Sequence, residues 1–179
     1  MITVCSSAAN KILKKLSEEK DFLLSAENKE KTYVVYSNET LEEAIIPDYD
    51  FETTQFKLEK IEEKILKIKH AINKFNTETE IMDGLTIDMA LVKMSMLSKR
   101  LLTLKEMCNT QKVTNGSSYS SETYRKYANF DIDVVKIKYE LVSKELSELQ
   151  LALDKVNMIK TFDIDIDEWK YFLSIYPVF

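Results

Sequence analysis

The stretch from Leu58 to Phe75 carries the pattern that most constrains the fold of this chain. Apolar side chains recur in it at alternating steps of three and four residues, at Leu58, Ile61, Ile65, Ile68, Ile72 and Phe75. This heptad spacing is typical of a helix that lays one apolar stripe, or seam, against another helix. The sequence therefore predicts a protein built from long, packed helices.

Two later segments repeat this spacing. One seam runs from Ala90 to Cys108 and the other from Val135 to Val156, and a shorter apolar face near the N-terminus includes Ile12 and Leu16. The chain has 179 residues with only 2 Gly and 2 Pro, so few positions interrupt a helix. Matched seams of similar length are what an antiparallel bundle needs. We therefore predict an all-α fold, an antiparallel bundle of about four helices, three of them long.

The predicted helices cover residues 8–27, 50–76, 86–111 and 131–160 of a single domain. The side chains of Asp50, Thr86 and Asp131 are suited to cap the second, third and fourth helices, and Ser6 or Ser7 the first. Asp83-Gly84 predicts a turn before the third helix.

The segments between the helices differ in character. Residues 31–36 are rich in β-branched and aromatic side chains and, with 41–46, predict a small β-ribbon. Residues 109–129 lack periodicity and predict a mobile loop. Apolar side chains alternate with aspartates from Phe162 to Asp167, which predicts a strand paired with residues 33–36. This strand opens an apolar C-terminal tail, residues 161–179.

Three stretches together resemble a known family. They are Leu66-Lys-Ile-Lys-His-Ala-Ile-Asn-Lys-Phe-Asn76, Asp83-Gly-Leu-Thr-Ile-Asp88 and Leu149-Gln-Leu-Ala-Leu-Asp-Lys-Val-Asn157. The arrangement resembles an uncharacterised family of bacterial helical proteins that is labelled septicolysin-like, over roughly residues 50–157. The resemblance implies a helical bundle and brings no established catalytic residues with it.

Apolar positions outside the seams predict an interface. The third helix has a second stripe on nearly the opposite side from its seam, and a helix that is apolar on both sides is usually buried on both sides. An apolar tail also needs a docking place, in the same chain, another subunit or a partner. The candidate interface residues are Leu85, Met89, Val92, Met96, Trp169, Phe172, Leu173, Tyr176 and Phe179.

Polar residues near helix ends form a second candidate site. His70, Asn73, Asn76 and Asn157 are placed where they can bind a small ligand. The asparagines can equally terminate helices and satisfy their free carbonyl groups, and we favour this role because every helix end needs such partners. A lone histidine is weak evidence for a site.

Several further motifs favour ordinary structure over chemistry. Asp163, Asp165 and Asp167 resemble the start of a calcium loop, but Glu168 and Ser174 stand where that loop needs Gly and Glu. Aromatic residues beside Arg125 in the predicted loop can bind a partner or pin the loop to the bundle. The lysines of the first two helices are interleaved with glutamates, which favours a solvated surface over a phosphate site.

Composition and the lack of recognisable motifs weigh against several classes of function. A net charge of −5 weighs against nucleic-acid binding, and no apolar run is long enough to predict a transmembrane segment. Two cysteines and no signal peptide predict reduced thiols in a cytoplasmic protein. We find no nucleophile set, metal spacing or phosphate-binding loop, so we expect neither an enzyme nor a cofactor.

We therefore predict a non-catalytic helical protein that forms a homo-oligomer and binds an unknown protein partner. A second hypothesis is an accessory or inhibitor protein, encoded by a mobile element, that acts on a host enzyme. A third is a bundle that binds a small ligand at the polar site, and a fourth is association with a membrane surface through Trp169 to Phe179.

Overall fold

The computed structural model describes residues 1–38, 40–42, 44–117 and 123–166, and within them the protein is mainly helical. This part holds four helices: α1 (Ser6–Glu30), α2 (Phe51–Glu78), α3 (Ile87–Cys108) and α4 (Ile132–Ile159). The small antiparallel sheets found there have two strands each. The strands are β1 (Ile2–Cys5), β2 (Glu80–Met82), β3 (Leu85–Thr86), β4 (Val113–Ser117), β5 (Thr123–Tyr127) and β6 (Thr161–Ile164). The prediction of an all-α chain with four helices is confirmed.

Two compact units make up the chain. Among the described residues, the first comprises residues 1–75 and 157–166, and the second comprises residues 76–156. Each unit has its own antiparallel helix pair and its own buried cluster, described below. Whether the chain is a single domain stays a prediction.

Three of the helices begin at the predicted caps. The Thr53 N–H donates to Asp50 Oδ1 over 2.6 Å, and the Asp133 N–H donates to Asp131 Oδ1 over 2.8 Å. Thr86 accepts at 3.4 Å from a backbone N–H in the first turn of α3. These side chains satisfy amides that have no partner within the helix, which is why the helices begin there.

The start of α1 differs from the prediction. Cys5 occupies the cap position without a side-chain cap hydrogen bond, and Ser6 and Ser7 are already helical, so a serine cap is wrong. The reason is β1, which leads directly into the helix and is held by a partner strand. The helix also continues to Glu30, three residues beyond the predicted end at Glu27.

The strand near the C-terminus exists, but its predicted partner is wrong. β6 pairs with β1, with Ile164 opposite Ile2 and Thr161 opposite Cys5. Residues 31–36 form no strand, and neither do the described residues of 41–46, so the ribbon predicted there is wrong. The pairing with β1 buries Val4 and Ile164 in the core, a gain that the exposed 31–36 segment does not offer.

Part of the predicted loop at 109–129 is a β-hairpin instead. β4 and β5 pair from Val113 opposite Tyr127 to Ser117 opposite Thr123. The β-branched Val113 and Thr114 in β4 and the two tyrosines of β5 favour this pairing. Position 116 in the hairpin also favours glycine, because a Cβ there would lie only 2.5 Å from Cζ of the Tyr124 ring and would clash with it.

The first unit is built around α1 and α2. Lys20 forms an ion pair with Glu62 over 2.6 Å, and Gln55 donates to Glu27 over 2.7 Å, so the two helices run antiparallel. The α2 seam faces this core, as predicted: its residues are buried or partly buried. The buried cluster consists of Val4, Ala9, Ile12, Leu16, Ile61, Ile68, Ile164 and Ile166.

The second unit is built around α3 and α4. Lys93 pairs with Glu145 over 2.7 Å, and Leu104 packs in one cluster with Val135 and Val142, so these helices also run antiparallel. β2 and β3 form a tight hairpin before α3, with Gly84 at φ 71° in the predicted turn. Glycine takes that conformation without the steric cost that a side chain adds.

Candidate interaction surface

An exposed apolar stripe runs along α3 on the side away from its buried seam. Met89, Val92 and Met96 are 51%, 51% and 66% exposed, and Leu85, just before the helix, is partly buried. Steps of three and four residues align these side chains on one face. We call Met89, Val92 and Met96 the α3 stripe. It contains three of the nine residues predicted as interface.

The first turn of α3 is firmly held, which fixes the orientation of the stripe. Ile87 and Ala90 are buried, and the Ile87 N–H donates to the Thr79 carbonyl oxygen over 2.9 Å. Thr86 caps the same turn. The helix therefore cannot rotate to bury the α3 stripe without losing these contacts.

A matching stripe on α4 was not among the predicted interface residues. Val134, Ile137 and Leu141 are each more than half exposed. The stripes have the same offset from their seams: Met89 precedes Ala90, as Val134 precedes Val135. We call these three residues the α4 stripe. The signal was present in the sequence, because the same steps of three and four occur in α4, one or two residues before successive seam positions.

The antiparallel arrangement of α3 and α4 implies that the two stripes share one side of the helix pair. A two-fold axis perpendicular to both helices relates the members of an antiparallel pair, so positions with equal offset from the seam fall on one face. The second unit therefore presents one side with two apolar stripes. Exposed apolar surface of this kind is typical of an interaction site.

The remaining predicted interface residues cannot be placed on this surface. Trp169, Phe172, Leu173, Tyr176 and Phe179 lie outside the described residues. Their role in an interface stays a prediction.

The candidate polar site has mixed burial. His70 and Asn73 are exposed, whereas Asn76 and Asn157 are partly buried. Asn157 Oδ1 is buried and has no hydrogen-bond partner among the described residues. A buried oxygen without a partner is costly. A ligand-binding role for these four residues stays a prediction.

Reactive side chains are dispersed in the described part of the chain. There, no group of three or more His, Cys, Asp or Glu residues is placed to hold a metal ion. Cys5 and Cys108 are partly buried free thiols, and the hydrogen bond with Ser7 lowers the pKa of Cys5. Asp163, from the calcium-like motif, accepts a hydrogen bond from Thr3 across the β1–β6 pair at 2.5 Å.

The helices lack the character of membrane spans. None of the four in the described residues combines the length and the apolar composition that a transmembrane segment requires.

Comparison with known proteins identifies a family for this chain and a solved structure of similar fold. The model of a family of unknown function, DUF6847, matches residues 34–161. A crystal structure of a functionally unknown conserved protein from Corynebacterium diphtheriae is similar in fold, with a TM-score of 0.62 and 17% sequence identity over 90% of this chain and 100% of that chain. No curated protein sequence matches the chain significantly. Neither the family nor the neighbour confirms the septicolysin-like label.

Proposed function

The chain belongs to the DUF6847 family of unknown function, and we propose that it is a non-catalytic helical protein that self-associates and binds a protein partner. The observation that carries the proposal is the α3 stripe, half or more exposed on a helix whose first turn is fixed. Methionine suits such a surface, because its flexible, polarisable side chain adapts to the shape of a partner.

The free energy gained by burying apolar side chains supports an interface that includes both stripes. Full burial of a Val, Leu, Ile or Met side chain gains roughly 1.5–3 kcal/mol, and these side chains have about half of that left to gain. Association costs roughly 4–15 kcal/mol in lost freedom of motion. The α3 stripe alone, buried on two copies, gains roughly 4.5–9 kcal/mol, which covers only the lower part of this cost, whereas both stripes buried on two copies gain roughly 9–18 kcal/mol. A two-fold contact in which the α3 stripe of one copy covers the α4 stripe of another uses all six on both sides.

The test is the solution mass of a variant that places charges in the α3 stripe. Met89→Lys/Met96→Lys is expected to reduce the mass to that of a single chain, because two ammonium groups resist burial against an apolar surface. Light scattering after gel filtration measures the mass, and circular dichroism measures the helicity, which is expected to stay unchanged.

A matched control carries the same charge change elsewhere. Leu66→Lys/Met158→Lys alters two exposed side chains on α2 and α4 that belong to neither stripe, and it is expected to keep the mass of the wild type. An unchanged mass in Met89→Lys/Met96→Lys, with the helicity preserved, would contradict self-association through the α3 stripe.

A further inference from the structure

A groove opens between the antiparallel helices α1 and α2 of the first unit. Its lining includes Ile61, which is buried in the cluster of this unit, and Leu23, which packs against that cluster. The rings of Phe22 and Phe56 also line it, and they are 73% and 60% exposed. Aromatic side chains of this size contribute strongly to binding when they are covered. The groove therefore offers apolar surface that is open to solvent.

Positive charge follows one side of the groove. Lys57, Lys60 and Lys64 of α2 line it, whereas the charged group from α1 is the carboxylate of Glu19. Steps of three and four residues place the lysines along one face of α2, over roughly 10 Å at 1.5 Å per residue. A complementary ligand therefore carries carboxylates on the side that meets α2 and apolar side chains toward the buried lining.

The charge of Lys60 is only weakly engaged by its neighbour on α2. Lys60 Nζ lies 3.9 Å from Glu63 Oε2, whereas Lys67 Nζ approaches the other oxygen of this carboxylate to 3.1 Å. The hydrogen bond from Lys67 is also the main reason why the pKa of Glu63 is lowered. Lys60 Nζ lies 5.5 Å from the centroid of the Phe56 ring. A carboxylate that enters from outside therefore meets a cation beside an aromatic face.

The walls of the groove favour a helical ligand over an extended one. Both walls are helices, so the groove lacks the strand edge to which an extended peptide adds. The volume of the groove is about 450 Å³, and a helix with its side chains is roughly 10–12 Å across. The groove therefore admits anchoring side chains while the backbone of the ligand lies above it. A helix aligned with α2 repeats its side chains at the same steps as the lysines.

We infer that this groove binds an amphipathic helix of a partner protein, with aromatic or aliphatic side chains against Phe22 and Phe56 and carboxylates against the lysines of α2. The inference rests on the partner-binding part of the proposed function and deepens it, because it names the chemistry of the partner. It uses a surface of the first unit and no residue of the α3 or α4 stripe.

A synthetic helical peptide and the full-length protein test the inference. The peptide, called the Glu peptide, carries Leu and Phe on one face and Glu at steps of three and four along one edge. A fluorescein label reports its binding by anisotropy, and we expect saturable binding to the wild type. Phe22→Ser/Phe56→Ser is expected to weaken the affinity roughly tenfold or more, because two aromatic anchors are lost.

A matched control makes the same kind of change outside the groove. Leu66→Ser/Leu151→Ser alters two apolar side chains of similar exposure on α2 and α4, and it is expected to keep the wild-type affinity. Circular dichroism measures the helicity, which is expected to be equal in both variants because all four side chains are more than half exposed.

Charge reversal leaves the aromatic lining intact. Lys57→Glu/Lys60→Glu is expected to weaken binding of the Glu peptide and to strengthen binding of a Lys peptide, in which Lys replaces each Glu. This exchange of preference separates charge recognition from a structural effect. The control Lys99→Glu/Lys138→Glu makes the same charge change at exposed positions of the second unit, and it is expected to keep the preference for the Glu peptide.

Several results would overturn the inference. Absence of saturable binding by the wild type, or equal affinities of the wild type and Phe22→Ser/Phe56→Ser, would show that the groove does not bind such a helix. Vesicles of phosphatidylserine and phosphatidylcholine that bind the wild type but not this variant, without peptide binding, would assign the groove to a lipid surface. A solution mass of this variant below that of the wild type would assign it to a second copy of the chain.

The stripe variant separates this inference from self-association. Met89→Lys/Met96→Lys is expected to bind the Glu peptide as the wild type does, because its substitutions lie in the second unit. An unchanged mass with intact peptide binding contradicts only self-association, and a reduced mass without peptide binding by the wild type contradicts only the groove. Loss of peptide binding in Met89→Lys/Met96→Lys alone would contradict the assignment of the peptide to the groove.

Discussion

The carboxylate of Glu27 links the end of α1 both to α2 and to the segment just before α2. The Tyr49 hydroxyl and the Gln55 amide both donate to Glu27 Oε1, each over 2.7 Å. The hydrogen bond to this carboxylate is the main reason why the pKa of Tyr49 is raised from 10.0 to about 12. Ionisation of the phenol would remove the donated proton and place two anions together.

The raised pKa predicts a pH dependence of stability. The folded state holds the Tyr49 proton more tightly than the unfolded state, so the contribution to stability is complete below pH 10 and is lost as pH rises toward about 12. Tyr49→Phe is expected to remove this part of the alkaline loss. Urea unfolding of both proteins at several alkaline pH values measures it, and parallel curves for the two proteins would contradict the assignment.

The helix caps show which residue-scale features the sequence predicts. Asp50, Thr86 and Asp131 were predictable because a cap acts within three residues of its own position. The cap of α1 was not, because Cys5 is placed there by a strand whose partner lies near the other end of the chain. The sequence equally did not predict that Asn157 Oδ1 is buried with no partner in the described part of the chain, since burial depends on packing between distant elements.

At the scale of elements, the sequence predicts the helices better than it predicts which strands pair. The helices follow from local spacing, so α2 and α4 were predicted within two residues at each end. Strand pairing is not local: residues 33–36 were predicted as the partner of β6, whereas its partner is β1, and this pairing buries Val4 and Ile164. The β4–β5 hairpin was missed because its polar, glycine-containing sequence also suits a loop.

The cap of α3 carries a prediction about this helix. Thr86→Ala is expected to lower the free energy of unfolding by about 1 kcal/mol, because it leaves a first-turn amide without its partner. Chemical denaturation measures the loss. Thr103→Ala is the control, since its hydroxyl donates to the Lys99 carbonyl oxygen in the helix interior and alanine favours a helix there. An equal loss in both variants would contradict the capping role of Thr86.

At the scale of the whole molecule, the seams and the stripes differ in burial. The seams predicted from sequence are buried or partly buried, whereas the α3 stripe remains exposed, and the α4 stripe repeats its geometry. The α3 stripe was predictable because its spacing is periodic. Its exposure was not, because a second apolar face predicts burial without saying whether the cover comes from the same chain or another.

The central claim is that these stripes are covered by another copy of the chain. Sedimentation equilibrium of the full-length wild type over a wide range of concentrations tests it most directly. The account predicts a mass above that of a single chain, which falls toward the single-chain value on dilution. A single-chain mass at every concentration would contradict self-association and leave the stripes to a different partner.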